Sequence, residues 1–298
     1  MPELPEVETV RAGLAPSLEG RRIVNMQVNR PDLRFPFPPD FAARLTQARL
    51  VRLSRRGKYL LGELEKDGAS FTWLSHLGMS GRYVLTRPEK ADPSSASSQM
   101  PGVYANAVAA PVAQKHVHVD IEFEGGVRLA YADPRRFGFM DLIDGPIEHN
   151  KFLADMGPEP LGNGFHVETL LAACRGRKSP IKNVLLDQRV VAGLGNIYVC
   201  EALFMAGISP RRQAANLGAR RAARLVPAIR DVLATAIEAG GSSLRDFAHG
   251  DGKLGYFQHR FQVYDREGVD CSAPACRAKV KRIVQSGRSS FYCPQCQT

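Results

Sequence analysis

Four of the six cysteines fall in the last 28 residues, spaced Cys271-x4-Cys276-x16-Cys293-x2-Cys296. Two thiol pairs separated by a hairpin-length insert are a zinc-ligand pattern, and four thiolates leave no open coordination position. The metal expected here is therefore one structural Zn2+ ion and not a catalytic one. The insert supplies two short strand-like runs, AKVKRIVQ and SSFYC, joined by SGR. A hairpin of that size has too little core to fold alone, so metal binding must supply its folding energy. From Cys271 to the end the chain carries Arg277, Lys279, Lys281, Arg282 and Arg288 but no acidic residue, which suits contact with phosphates. The other two cysteines, Cys174 and Cys200, lie in apolar, helical-looking stretches and read as small core residues.

No secretory leader pattern opens the chain, and no apolar run approaches the roughly 20 residues that a membrane helix needs. We expect a cytoplasmic protein, where clustered thiols bind metal and do not pair as disulfides. A formal charge of +10 over 298 residues favours a polyanionic partner, although basic surfaces are also often merely solvated.

The hydrophobic pattern divides the chain into three parts. Residues 3–18 have apolar positions at helical spacing after a two-proline entry. From 21 to 143 the period changes to two, as in IVNMQV, ARLVRLSRR, KYLLGELE, SFTWLSHLG, HVHVDIEF, VRLAYAD and FGFMDLI. Short alternating strands separated by Gly, Pro and Asp predict an antiparallel sandwich or barrel. The Pro-, Ser- and Ala-rich stretch between Arg87 and Gln114 reads as a long loop with no core of its own. From about Glu148 to Ala239 the pattern is helical: Ser179-Pro180 looks like an N-cap and first-turn proline, and residues 217–241 form an amphipathic segment that contains Pro227 and ends at two glycines. The class expected is α+β, with domains at 1–147, 148–240 and 241–298.

Pro2 follows the initiator methionine. Methionine removal would expose a secondary amine able to attack a sugar C1′ and form an iminium, with Glu3 beside it to move protons. Taken alone, a proline at position two carries no such assignment.

Context supplies one. PELPEVETV at the start, RRGKYL at 55–60, HLGMSG at 76–81, DPRRFG at 133–138, MGPEPL at 156–161, GLGNIYVCEALF at 193–204, DGKLGYFQ at 251–258 and FYCPQC at 291–296 occur in this order. Together they resemble the bacterial formamidopyrimidine-DNA glycosylase family (8-oxoguanine DNA glycosylase/AP lyase) over nearly the whole chain. The resemblance implies an N-terminal β-sandwich with an N-terminal helix, a helix–two-turn–helix domain and a C-terminal zinc-finger β-hairpin. It also implies excision of oxidised purines (8-oxoguanine and formamidopyrimidines) from damaged double-stranded DNA, followed by β,δ-elimination, by a monomer.

By the same resemblance Pro2 is the Schiff-base nucleophile, Glu3 the neighbouring acid/base and Lys58 a proton donor in β-elimination. Arg288 binds phosphate and assists δ-elimination. Met79, Arg135 and Phe137 fill the hole left by a flipped nucleotide, since a base must leave the stack to be attacked. His116, Arg177, Lys178 and Asn196 contact the DNA backbone, and residues 240–255 cap the flipped base. The four-residue gap in the first zinc knuckle and the length of the 88–114 loop depart from the family pattern. Three other readings remain: a sister class acting on oxidised pyrimidines, a non-catalytic zinc-hairpin DNA-binding protein, and a zinc-stabilised RNA-binding protein. The N-terminal motif argues against the last two.

Overall fold

In a computed structural model, the residues described are 2–88, 104–105, 113–242 and 257–298. Most of the 88–114 loop and most of the 240–255 capping segment therefore lie outside the described residues. The chain divides into two compact units, one of residues 1–154 and 239–256, the other of residues 155–238 and 257–298.

The first unit opens with helix α1 (Leu4–Leu18), followed by β1 (Ile23–Val28), the short helix α2 (Phe41–Leu45), β2 (Arg49–Arg56), β3 (Tyr59–Lys66), β4 (Ala69–His76) and β5 (Arg82–Thr86). After these come β6 (Tyr104–Ala105), β7 (Val117–Phe123), β8 (Val127–Ala132) and β9 (Phe139–Asp144). The strands form two sheets, ordered β1-β7-β8-β5-β6 and β2-β3-β4-β9. Every pairing is antiparallel except that of β6 on β5. Each run of alternating residues named above is a strand, as period-two burial requires. Helix α2 sits inside this β region at FAARL, too short a run to register as helical periodicity.

Leu50, Leu60, Leu64 and Trp73 of one sheet share a core with Met26, Ile121, Phe123, Leu129 and Tyr131 of the other. Val7, Val10, Leu14 and Leu18 join the same core from α1, at spacings that place them on one helical stripe. Gly62 on β3 makes room for it, since a Cβ there would lie 3.0 Å from Leu50 and 3.3 Å from Trp73.

The second unit contains α3 (Val167–Cys174), α4 (Ile181–Leu186), α5 (Asn196–Met205), α6 (Gly218–Glu238) and the hairpin β10 (Lys281–Gln285) and β11 (Arg288–Tyr292). Helix α6 buries Ala222, Leu225, Val226, Ile229, Val232, Leu233 and Ala236, and runs through Pro227 before ending at Gly240 and Gly241, both at positive φ. Two expectations shift. Residues 155–166 are irregular and not helical, and their carbonyls are satisfied from outside: the Arg230 guanidinium donates to the oxygens of Pro160, Gly162 and Phe165. The N-cap of α4 is Pro180 and not Ser179, because Pro180 forms a bridge with Gln213 in an extended segment. Among the described residues no helix is long and apolar enough to cross a membrane.

Candidate active site and nucleic-acid interface

The chain's first residues are held by carboxylates. Pro2 and Glu3 are buried, and Glu3 is the N-cap of α1 in a capping box with Glu6. One Glu6 oxygen accepts the Glu3 N–H at 2.8 Å. The other accepts the N–H of Ser242 at 2.7 Å and its hydroxyl at 2.9 Å. Gly241 permits that approach: its φ is +80° and a Cβ would lie 3.0–3.3 Å from Glu6 atoms. Glu6 thus ties the N-terminal turn to the leading edge of the 240–255 segment. Glu6 was not singled out in the sequence, although a Glu three residues after the cap is the signature of a capping box.

Lys58 occupies a two-residue turn with Gly57 (φ +57°) between Arg56 and Tyr59, the last register pair of β2 and β3. The side chain is only 8% exposed, unlike an ordinary surface lysine on a strand. The turn is braced from α1, since Glu8 pairs with Arg55 at 3.0 Å and Arg55 donates to the Gly57 carbonyl at 2.9 Å.

His76, which the sequence motif contained without marking, ends β4 opposite Tyr59. Its ring stacks on Phe139 at 5.4 Å and meets Tyr59 at 4.9 Å. Burial first, then the charges of Lys58 and Arg34, push its pKa down to about 4. The ring is neutral at pH 7, and Nδ1 accepts the Gly78 N–H at 3.1 Å. The ring proton is therefore on Nε2, which leaves that edge as a hydrogen-bond donor. The sign for stability follows directly. A folded pKa below the unfolded value of about 6.5 means the unfolded chain binds more protons between pH 6.5 and 4. Stability should fall across that window, by at most about 3 kcal/mol. Denaturant midpoints of the wild type should drop from pH 6.5 to 4 more steeply than those of His76→Phe; parallel curves would refute the assignment.

Asp133, fully buried, organises the DPRRFG loop. Its carboxylate accepts from Ser80 Oγ at 2.5 Å, the Arg135 N–H at 3.2 Å and the Gly138 N–H at 2.8 Å. Its backbone N–H donates to the His116 carbonyl at 3.0 Å, and its carbonyl meets the ring of buried His118 at 2.8 Å. The HLGMSG turn packs directly on this loop, for a Cβ on Gly78 would lie 2.3 Å from backbone atoms of Phe137 and Gly138. The Asp133 carboxylate therefore fixes the loops that carry Met79, Arg135 and Phe137, and its backbone N–H holds the segment of His116. Met79 is half-buried, whereas Phe137 is 43% exposed with the Arg135 guanidinium 4.9 Å above its ring. An exposed aromatic on a rigid base is suited to insertion between bases.

In the second unit the four cysteine sulfurs lie within 4.8 Å of one another. Cys271 and Cys296 are 3.8 Å apart and Cys276 and Cys293 3.7 Å. A tetrahedron with zinc–sulfur bonds of about 2.3 Å has edges of about 3.8 Å, so the residues fit a structural zinc ion. Val280 and Phe291 of this ribbon form a small core with Val263 and with Cys200 of α5. Glu201 on the same helix, 2% exposed, receives the N–H groups of Gln262, Val263 and Tyr264 at 2.8–3.0 Å.

Arg288 stands exposed at the head of β11, beyond a turn in which Ser286 and Gly287 both take positive φ, the geometry of a two-residue hairpin. The next residues are gripped from the helices. Lys182, fully buried, donates to the Ser289 carbonyl at 2.8 Å and to Ser290 Oγ at 2.6 Å. Asn196, the first residue of α5, donates to the same Ser289 carbonyl at 2.9 Å. Its second amide hydrogen is what an oxyanion could take. Lys178 is exposed, and Arg177 is 3.5 Å from Asp187, which also pairs with Arg189. Lys182 was missed because a buried lysine has no sequence signature separate from an exposed one.

The matches to known proteins cover the same segments. Residues 1–140 match the family model described as the formamidopyrimidine-DNA glycosylase N-terminal domain, residues 156–248 its H2TH domain and residues 274–298 a zinc finger found in FPG and IleRS. The curated formamidopyrimidine-DNA glycosylase of Ruegeria pomeroyi is 55% identical over 298 residues, covering 100% of both chains. The crystal structure of a Lactococcus lactis FPG mutant in complex with Fapy-dG-containing DNA is 34% identical, with a TM-score of 0.82 and 100% of both chains covered. A complex of the wild-type Lactococcus lactis protein with DNA containing an oxidised pyrimidine is also 34% identical, with a TM-score of 0.81 over 100% of both chains.

Proposed function

The chain belongs to the formamidopyrimidine-DNA glycosylase family, and from that premise we propose a residue-by-residue account of how it removes oxidised purines from duplex DNA. The protein is a DNA glycosylase of base excision repair, and strand cleavage at the resulting abasic site is standard for its family. Its zinc is structural.

Removal of Met1 frees the Pro2 amine. Insertion of Met79, Arg135 and Phe137 into the stack supports extrusion of the damaged nucleotide. The Pro2 nitrogen attacks C1′ as the bond from C1′ to the base nitrogen breaks, and Glu3 delivers and withdraws the protons this exchange requires. The adduct at C1′ still carries the ring oxygen; the C1′–O4′ bond then breaks, O4′ takes a proton, and an open-chain iminium results. Loss of a C2′ proton, with departure of the 3′-phosphate, is β-elimination; departure of the 5′-phosphate is δ-elimination. Lys58 and Arg288 serve these steps. The guanidinium acts by stabilising phosphate charge, because it does not readily give up its proton. His116, Arg177, Lys178 and Asn196 hold backbone phosphates. The protein acts as a monomer, where the bacterial chromosome lies, in the cytoplasm.

The observation that carries this reading is the doubly held N-terminus, with Pro2 and Glu3 buried and anchored by Glu6. The Fapy-dG complex of the Lactococcus lactis relative supports the purine substrate, and its oxidised-pyrimidine complex supports a second, looser substrate class. Borohydride trapping on duplexes carrying 8-oxoguanine or an oxidised pyrimidine separates the two. A covalent adduct on the purine duplex, mapped to Pro2, is expected. An adduct on the pyrimidine duplex alone would transfer the protein to the sister class.

A further inference from the structure

Between Glu201 and Asp231 the chain has six arginines, Arg211, Arg212, Arg220, Arg221, Arg224 and Arg230, and no acidic residue. Arg230 is used internally, on the carbonyls of 160–165. Arg211 and Arg212 instead line an open groove of about 480 Å³, together with Ser209, Asn216, Tyr292 and Gln297. Among the described residues neither arginine has a carboxylate side chain within ion-pair distance. Arg212 donates to the Asn216 carbonyl and to an oxygen of the final residue, Thr298, each at 3.4 Å. Partial burial and the neighbouring Arg221 charge lower its pKa.

The groove lies on the same ribbon as Arg177 and Lys178, proposed above as backbone contacts. Residues 212–215 run alongside 177–181: Ile181 donates to the Arg212 carbonyl at 2.7 Å, Ala214 to Ser179 at 2.9 Å and Ala215 to Arg177 at 3.0 Å. In this antiparallel ribbon Arg212 lies opposite Ile181, and Arg177 and Lys178 lie a few residues further along, opposite 215–216. On the other side Gln285 of the zinc hairpin donates to the Pro210 carbonyl at 3.1 Å.

We propose that the groove is a phosphate subsite for the duplex backbone flanking the lesion, extending the track begun by Arg177 and Lys178. Guanidinium groups match phosphate oxygens through paired N–H donors, and each phosphate neutralised releases counterions. An acidic peptide would find the same charge, but the groove offers little of the apolar anchoring that peptide docking draws on. The subsite rests on the reading of Arg177 and Lys178 as backbone contacts.

The test compares binding to a short duplex carrying an abasic-site analogue with binding to one extended by about one helical turn (about 10 bp), across a salt series. The variant is Arg211→Gln with Arg221→Gln. It leaves Arg212, which holds oxygens of Asn216 and Thr298, in place; unchanged zinc content and melting temperature certify its fold. The wild type should gain affinity on extension, with log K falling more steeply in log salt by about 0.9 for each added contact. The double variant should lose that gain and about one to two units of slope, while Arg211→Lys with Arg221→Lys should keep the slope. Equal length and salt dependence in wild type and Gln variant would overturn the subsite. Loss confined to binding of a polyglutamate peptide would overturn it in favour of an acidic protein partner. Wild-type excision is measured on the same duplexes. If it fails, the glycosylase reading falls; if it succeeds while the Gln variant binds like the wild type, only the subsite falls.

Discussion

Glu3→Gln is expected to lower base excision by roughly 10²–10⁴-fold, the usual contribution of a positioned acid/base group, while DNA affinity and folding survive. Two features of the local structure separate chemistry from stability at this position. The backbone N–H of residue 3 donates to Glu6 whatever the side chain is. A glutamine at the cap keeps an oxygen that can accept from the first turn of α1, so the helix should lose no more than about 1 kcal/mol. Single-turnover excision of 8-oxoguanine and equilibrium binding to an abasic-analogue duplex would be measured on the same preparation. Parallel loss of both would mean that Glu3 holds the structure and does not move protons. Strand cleavage at a preformed abasic site should suffer less, because departure of the base is no longer required.

Removing the zinc, by Cys293→Ser or by chelation, should have the largest effect on stability. Four-thiolate zinc sites contribute on the order of 10 kcal/mol to the folding of small modules. Here the loss does not stay within the ribbon. Val280 and Phe291 leave the core they share with Cys200, and buried Lys182 loses Ser289 and Ser290 as acceptors. A buried ammonium deprived of partners costs several kcal/mol, so α4 should loosen along with the hairpin. The expected result is a lower melting temperature, faster proteolysis after residue 260 and loss of high-affinity DNA binding. Lys182→Met should recover part of the stability of the zinc-free chain but not its DNA binding, since Arg288 would still lack its hairpin. A zinc-free protein that melts and binds like the holoprotein would refute the structural role.

Much of the architecture was legible in the amino acids because it depends on local spacing. Period-two alternation marked the strands of both sheets, and the stripe of α6 marked its buried face. Cysteine spacing marked the metal ligands, whose sulfurs lie within 4.8 Å of one another, two pairs at the length of a tetrahedral edge. Where local signals failed, a distant group was responsible. The 155–166 stretch falls inside the region read as helical, yet its Gly157, Pro158, Pro160, Gly162 and Gly164 break the helix and Arg230 takes carbonyls of its irregular path. Ser179 looks like an N-cap, yet its carbonyl is taken by Ala214.

The sequence by itself determined most of the strands, helices α1 and α6, the zinc ligands and, through ordered motifs, the family. Only the tertiary structure decided which polar groups hold the site in place. Glu6 meets Ser242 across 236 positions, Lys182 meets Ser290 across 108, and Asp133 meets Ser80 across 53. The same holds for His76, whose neutral ring depends on burial beside Lys58 and Arg34. Periodicity and spacing report which face of an element is apolar, because that is a property of neighbouring residues. A buried charge is set by the partners that compensate it, and partners so far apart in the chain meet only when it folds.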